Sequence, residues 1–182
     1  MTHPAFIDYE HGITAIDSGF ERPMLDAVHL VVEGGRAALV DTASNASLPK
    51  VLSALDAKGL SAADVDWVLL THVPLDHAGG ATGLARVLNV PIEGPHQDDL
   101  FLLEDLSRHA KRPGFSESES CQPDRWLADG DTVTFGAAEL GVRHCPGHTP
   151  GHVVLYHAGA KIAFVGDVLF AGSVGRTDFP KG

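Results

Sequence analysis

The stretch Thr71-His72-Val73-Pro74-Leu75-Asp76-His77-Ala78-Gly79-Gly80 sets two imidazoles and a carboxylate between two apolar segments. Before it runs Trp67-Val68-Leu69-Leu70, and after it come Ala81, Leu84, Ala85 and Leu88. The first segment reads as a buried strand and the second as the apolar face of a helix. A turn at a strand end holds its side chains on a rigid frame, which is where function commonly sits. Imidazole and carboxylate are donor types that suit zinc, iron or manganese. The same residues also read as a polar turn in which Asp76 caps the next helix by accepting its amide protons.

Two further clusters bear on that choice. His144-Cys145-Pro146-Gly147-His148-Thr149-Pro150-Gly151-His152 follows one expected strand, and Gly166-Asp167 follows another. Pro and Gly on both sides of His148 specify a tight turn that presents one side chain at a strand end. If the three strand ends meet at one edge of a sandwich, His72, His148 and Asp167 supply two imidazoles and a carboxylate, enough for a mononuclear centre with open positions. Asp76 and His77 then serve a second ion, with Asp167 bridging. Two ions about 3.5–4 Å apart bind a hydroxide and polarise a carbonyl.

Composition narrows the partners. With 182 residues and 44% hydrophobic content, the chain from Met1 to Gly182 is expected to form one soluble domain. No apolar stretch is long enough for a membrane span. A net charge of -11 argues against a nucleic-acid partner, since the densest basic group, Arg108-His109-Ala110-Lys111-Arg112, reads as a solvated helix end. Cys121 and Cys145 make no disulfide framework, and no secretory signal is evident, so a cytoplasmic setting is expected.

Along the chain, Ile13, Ala15 and Ile16 suggest an edge strand. Val28 to Val32 and Ala37 to Val40 suggest a hairpin turning at Glu33-Gly34-Gly35-Arg36. Asp41 lies at a strand end and reads as a turn or cap residue. Ser47 is placed to cap a helix carrying Leu48, Val51, Leu52 and Leu55, and Ser61 to Asp64 resembles a capping box. A strand at Asp66 to Leu70, a helix from Ala78 to Asn89, a strand at Val90 to Ile92 and a helix from Gln97 to His109 continue an alternating β-α rhythm. Lys111 to Asp124 reads as a polar surface excursion. Short strands follow, at Thr132 to Phe135, Glu139 to His144, Val153 to His157 and Lys161 to Val165. An α/β fold with a two-sheet core and helices outside accounts for both halves.

These motifs together resemble the metallo-β-lactamase superfamily, and more closely its glyoxalase II-like (hydroxyacylglutathione hydrolase-like) branch. The resemblance rests on Leu70-Thr71-His72 with Asp76-His77-Ala78-Gly79, on His144 to His152, on Gly166-Asp167-Val168-Leu169-Phe170 and on Gly175-Arg176-Thr177-Asp178-Phe179-Pro180. Pro123-Asp124-Arg125-Trp126-Leu127 with Asp129-Gly130-Asp131 adds to it. It implies an αβ/βα sandwich with the metals at one edge between the sheets. It also implies metal ligands at His72, Asp76, His77, His148 and Asp167, with Asp41 in an orienting role behind them.

The chain departs from the family pattern twice. The family motif Thr-His-x-His-x-Asp-His has Pro74 at its second histidine, and proline has neither a lone pair to donate nor an N–H. Relatives also continue past Phe179-Pro180 to further helical segments and a late histidine, whereas this sequence ends at Gly182. Each of two ions would then keep three protein ligands at best. Weaker metal affinity is expected, and apolar surface bared at the C-terminal side would favour a homo-oligomer.

The resemblance implies a zinc-dependent hydrolase, one or two ions per chain with iron or manganese as substitutes. A metal-bound hydroxide would attack a thioester such as an S-acylglutathione, and Asp76 would orient the nucleophile or take its proton. A second reading is a mononuclear iron persulfide dioxygenase using His72, His148 and Asp167, and a third is a non-catalytic binding or structural domain with a degenerate site. Cys145 reads as a small buried residue rather than one near the metal, His144 and His152 as core or surface imidazoles with a supporting role behind a metal ligand as the alternative, and His11, His29, His96, His109 and His157 as incidental. Asp178 reads as a turn carboxylate, and Arg176 as either an ion-pair partner or an anion contact.

Overall fold

The structure is a computed structural model and describes residues 5–109, 120–179 and 181. The side chains of the basic group at 108–112, the first part of the polar excursion and position 180 lie outside what is described.

The first half of the chain builds a six-stranded sheet in sequence order: β1 (Phe6–Asp8), β2 (Ile13–Asp17), β3 (Ala27–Glu33), β4 (Arg36–Val40), β5 (Val65–Leu69) and β6 (Ile92–Glu93). Pairing is antiparallel from β1 to β4 and parallel from β4 to β6. The change of sense falls where α1 (Leu48–Ala57) and then α2 (Leu75–Ala78) and α3 (Ala81–Leu88) intervene, because parallel neighbours need a crossover. The second half forms a sheet in the order β10-β9-β8-β7, from β7 (Thr132–Phe135), β8 (Ala138–His144), β9 (Val153–His157) and β10 (Ile162–Phe164), all antiparallel. α4 (Leu100–His109) precedes that sheet, and a small hairpin of β11 (Leu169–Phe170) and β12 (Ser173–Val174) follows it.

Strand alternation divides the interior into two layers. Val28 and Leu30 of β3 and Ala37 and Leu39 of β4 face the helices, packing with Val51, Leu55, Leu84, Leu88, Leu103 and Leu106. Val31, Ala38, Val40 and Leu69 face the second sheet and meet Val133, Phe135, Leu140, Val142, Val153 and Leu155. The architecture is therefore the expected α/β sandwich. The outward residues of the second sheet, Thr132, Thr134, Glu139, Arg143 and Tyr156, are exposed and mostly polar. Leu169, Phe170, Val174 and Phe179 are among the exposed large apolar side chains. No helix among the described residues is long and apolar enough to cross a membrane.

Several local expectations change. The strand expected at the edge, around Ile13, is covered by β1, whose three residues are too few to show a period. Ser47 does not cap α1, because its hydroxyl donates to the carbonyls of Thr42 and Ser44. Ser44 caps the preceding 3-10 turn instead, accepting from the Ala46 N–H. The single helix expected from Ala78 to Asn89 breaks into α2 and α3. Gly80 sends its N–H to the Ala43 carbonyl at 2.7 Å, and a Cβ there would stand 3.0 Å from the Ser44 carbonyl oxygen. The capping box at Ser61 and Asp64 is present.

Candidate metal centre

The three motifs come together at one edge of the sandwich. The turn after β5 carries His72 and leads into α2 with Asp76 and His77; the loop after β8 carries His148; the turn after β10 carries Asp167. A backbone bond from Val153 N–H to Thr71 carbonyl, 2.8 Å, ties the first of these segments to β9 of the other sheet. His72 is fully buried, and His77 and His148 are nearly so.

Asp167 is where the imidazoles converge. Its Oδ1 lies 3.2 Å from His77 Nε2, and its Oδ2 lies 3.3 Å from His148 Nε2 and 4.0 Å from His72 Nε2. The other nitrogen of each ring is already engaged. His77 Nδ1–H donates to Asp41 Oδ2 at 2.9 Å, and His148 Nδ1–H donates to the Arg176 carbonyl at 3.0 Å. His72 Nδ1–H meets Thr71 Oγ1 at 2.9 Å, a hydroxyl that gives its own proton to Asp41. These bonds turn the Nε2 atoms of His72, His77 and His148 toward one carboxylate, with His77 donating to it through Nε2–H. His72 Nε2 is buried with no hydrogen-bond partner.

Charge in the cluster follows from that geometry. Burial pushes the His72 pKa well below the ordinary imidazole value, and the neighbouring His77, His152 and His148 push the same way. Burial also opposes charge on His77, but the flanking Asp41 and Asp167 carboxylates outweigh it and hold its pKa well above that value. For Asp167, burial raises the pKa while His77, by hydrogen bond and charge, and His148 pull it down to a net lowering. A cation at this point would satisfy the same lone pairs that the proton on His77 now satisfies in part. The donor set therefore fits a metal ion: His72, His148 and Asp167 offer atoms within 4.8 Å of one another, and so do Asp41, His72 and His77.

Asp76 stands further out. It is partly exposed, its Oδ2 is 3.8 Å from His77 Nε2, and it lines a cavity of about 370 Å³ above the cluster, with Phe20, Leu25, Asp26, His29 and Phe170 among the other walls. Pro74 precedes α2 in extended conformation and gives its carbonyl to the N–H groups of His77 and Ala78. Arg176 pairs through two bonds with Asp178 on the surface, so of the two roles open to it the ion pair is the one found.

Three residues matter more than their surroundings in the sequence suggest. His152 is a fully buried imidazole, as expected, but it also accepts the Asp167 N–H at 3.0 Å and stacks on His72 with ring centroids 4.2 Å apart; burial lowers its pKa to about 4. Asp99 is completely buried and accepts from Thr149 Oγ1 at 2.8 Å and Gly151 N–H at 2.6 Å, which fixes the loop around His148. Fifty-two residues separate Asp99 from Gly151, so no local spacing could reveal it. His29, read as incidental, lines the cavity. Cys145, by contrast, is a partly buried residue whose thiol pKa is raised by burial.

Comparison with known proteins supplies the family. The chain is 43% identical over 116 residues to the hydroxyacylglutathione hydrolase GloC of Haemophilus influenzae, covering 63% of this chain and 55% of that protein. It is 31% identical over 187 residues to a hydroxyacylglutathione hydrolase of Aeromonas salmonicida, covering 97% of this chain and 52% of that one. It thus spans about half the length of these curated relatives. Among solved structures, TTHA1623 in a di-iron-bound form is 35% identical with a TM-score of 0.72, the match covering 85% of this chain and 73% of that one. The B3 metallo-β-lactamase BLEG-1 superposes with a TM-score of 0.77 at 26% identity, over 93% of this chain and 78% of that one. The family model described as the metallo-beta-lactamase superfamily matches residues 26–182, which takes in all three motifs and every strand from β3 onward, and the chain belongs to that superfamily.

Proposed function

We propose that this chain is a metal-dependent hydrolase of a thioester such as an S-acylglutathione, with His72, Asp76, His77, His148 and Asp167 around one or two ions of zinc, iron or manganese. The observation that carries the reading is the convergence of three imidazole Nε2 atoms on Asp167, with His72 Nε2 buried and unpartnered. A buried lone pair with no partner, as on His72 Nε2, is costly unless a cation takes it up.

A bound ion of this kind supplies Lewis acidity and lowers the pKa of the attacking water. The residues supply the rest. Asp41 and the Arg176 carbonyl hold His77 and His148 by Nδ1–H, the orientation in which Nε2 of each would face an ion. Asp76, on the cavity side, is placed to orient the attacking water and receive its proton. The cavity, with apolar walls at Phe20, Leu25 and Phe170, takes the acyl portion. Pro74 gives no ligand, so an ion on His72, His148 and Asp167 has those three donors.

The grouping of His72, His148 and Asp167 also favours a second reading, in which a single ferrous ion on two histidines and one carboxylate oxidises a persulfide. Elemental mass spectrometry of the purified protein, with thioester-cleavage and oxygen-uptake assays, separates the two. Cleavage that depends on zinc or manganese and disappears in His148→Ala and Asp167→Ala supports the hydrolase. One tight iron with persulfide-dependent oxygen uptake supports the dioxygenase. Absence of retained metal and of both activities leaves a non-catalytic domain and overturns the proposal.

A further inference from the structure

Outside the central cluster, His96, Asp98 and His144 form another group whose donor atoms lie within 4.8 Å of one another. His96 opens the 3-10 turn before α4, and His144 ends β8. All three are partly or fully exposed, unlike the buried histidines of the centre. The two imidazoles stack, with ring centroids 4.1 Å apart and 22° between planes.

The hydrogen bonds set the lone pairs. His144 Nε2 lies 2.8 Å from the Pro150 carbonyl, which only accepts, so Nε2 carries the proton and Nδ1 keeps its lone pair. His96 Nδ1 takes the Asp98 N–H in a long 3.3 Å bond, so its one lone pair lies on that side and an ion there would replace this weak contact, with Asp98 Oδ2 also 3.3 Å from the same nitrogen. Two donors each about 2 Å from one tetrahedral ion lie about 3.3 Å apart, so this pair already has the spacing of a shared ion. A backbone carbonyl behind a histidine, as Pro150 stands behind His144, is the support that metal-binding imidazoles commonly have.

We propose that His96, Asp98 and His144 form an outer site for a divalent first-row ion that favours imidazole, namely zinc, nickel or copper. The site has a mechanical role because of what its residues hold. The His96 N–H donates to the Gly151 carbonyl at 3.0 Å, and His144 is bonded to Pro150, so both histidines already grip the loop that carries His148 and His152. An ion between them cross-links the segment after β6 to that loop and stiffens the support of His148.

The test is nickel uptake at a fixed free-nickel concentration, measured by elemental mass spectrometry after equilibrium dialysis, for the wild type, His96→Gln, His144→Gln and Asp98→Asn. Each variant is expected to hold about one ion per chain fewer than the wild type, and to lose the rise in melting temperature that nickel gives. The difference reads the outer site whether the central cluster takes two ions, one or none. Equal uptake by the wild type and Asp98→Asn, an exposed substitution that leaves the fold intact, would overturn the proposal and reduce the group to a helix cap and a ring stack.

Discussion

Asp41 and His77, thirty-six residues apart, are joined by a 2.9 Å bond from the imidazole Nδ1–H to the carboxylate, while the same carboxylate takes the N–H and hydroxyl of Thr71. Asp41 reaches this position from a left-handed backbone conformation, φ +58°, at the end of β4, one that aspartate tolerates better than most residues. It thus orients His77 directly and His72 through Thr71. Asp41→Asn keeps the shape but replaces a charged acceptor with an amide that presents an N–H on one side. Metal affinity is expected to fall about 10- to 100-fold, the usual loss when a partner behind a ligand is removed. Competition against a chromogenic chelator measures it, and unchanged affinity would show that His77 is positioned without Asp41.

Asp99 is the buried anchor of the loop around His148. Besides Thr149 and Gly151 it accepts the Val73 N–H, so it also touches the turn that follows His72. Burial raises its pKa even against those three donors. Asp99→Ala would leave the donors buried without an acceptor, at about 1–3 kcal/mol for each. A loss of at least about 3 kcal/mol in urea unfolding is expected, together with weaker metal retention. A loss below about 1 kcal/mol would mean that water replaces the carboxylate.

The same residue shows where reading the sequence stops. Most strands, the turn at Glu33 to Arg36 and the three motifs were legible because their signals are local: period-two apolarity, glycine at turns, histidine at strand ends, whereas β1, β11 and β12 are too short to show a period. Asp99, the stacking of His152 on His72 and that of His96 on His144 depend on distant segments meeting, and no spacing along the chain encodes those contacts. The break between α2 and α3 was hidden for a related reason. Its cause is the Ala43 carbonyl, which draws off the Gly80 N–H from another part of the chain.

Asp26 gives a prediction about pH. It lines the central cavity with Oδ2 buried and unpartnered, and burial, helped by Asp41 and Asp76 against the pull of His77, raises its pKa from 3.8 to about 6. A carboxyl whose pKa is higher when folded binds its proton more tightly in the folded state. Its stabilising contribution is complete below pH 3.8 and is lost as the pH rises through about 6. The shift corresponds to about 3 kcal/mol. Asp26→Asn stays neutral throughout, so the variant should gain on the wild type by up to about 3 kcal/mol at pH 8 and by little at pH 4. Urea unfolding at the two pH values checks this, and a difference that does not change with pH would contradict it.

Pro74→His tests how far the centre is limited by its missing donor. Proline contributes no side-chain ligand, but its backbone work here is done by the carbonyl, which accepts from His77 and Ala78, and not by the absent N–H. Its φ of −70° and ψ of 162° are open to histidine as well. The substitution should therefore preserve the turn, at a cost of about 0.4–1 kcal/mol from the freer unfolded chain. Against that small loss it adds an imidazole between His72 and Asp76, beside a cluster whose His72 Nε2 lacks a partner. Metal affinity is expected to rise by at least about tenfold, since a direct ligand contributes more than the supporting partners behind one. The metal-free variant should melt slightly below the wild type and the metal-loaded variant above it, because binding to the folded state adds to stability. Metal content and melting temperature read together decide the matter: a variant that folds but gains no metal would show that the loop is built around proline in a way that turns position 74 away from the centre.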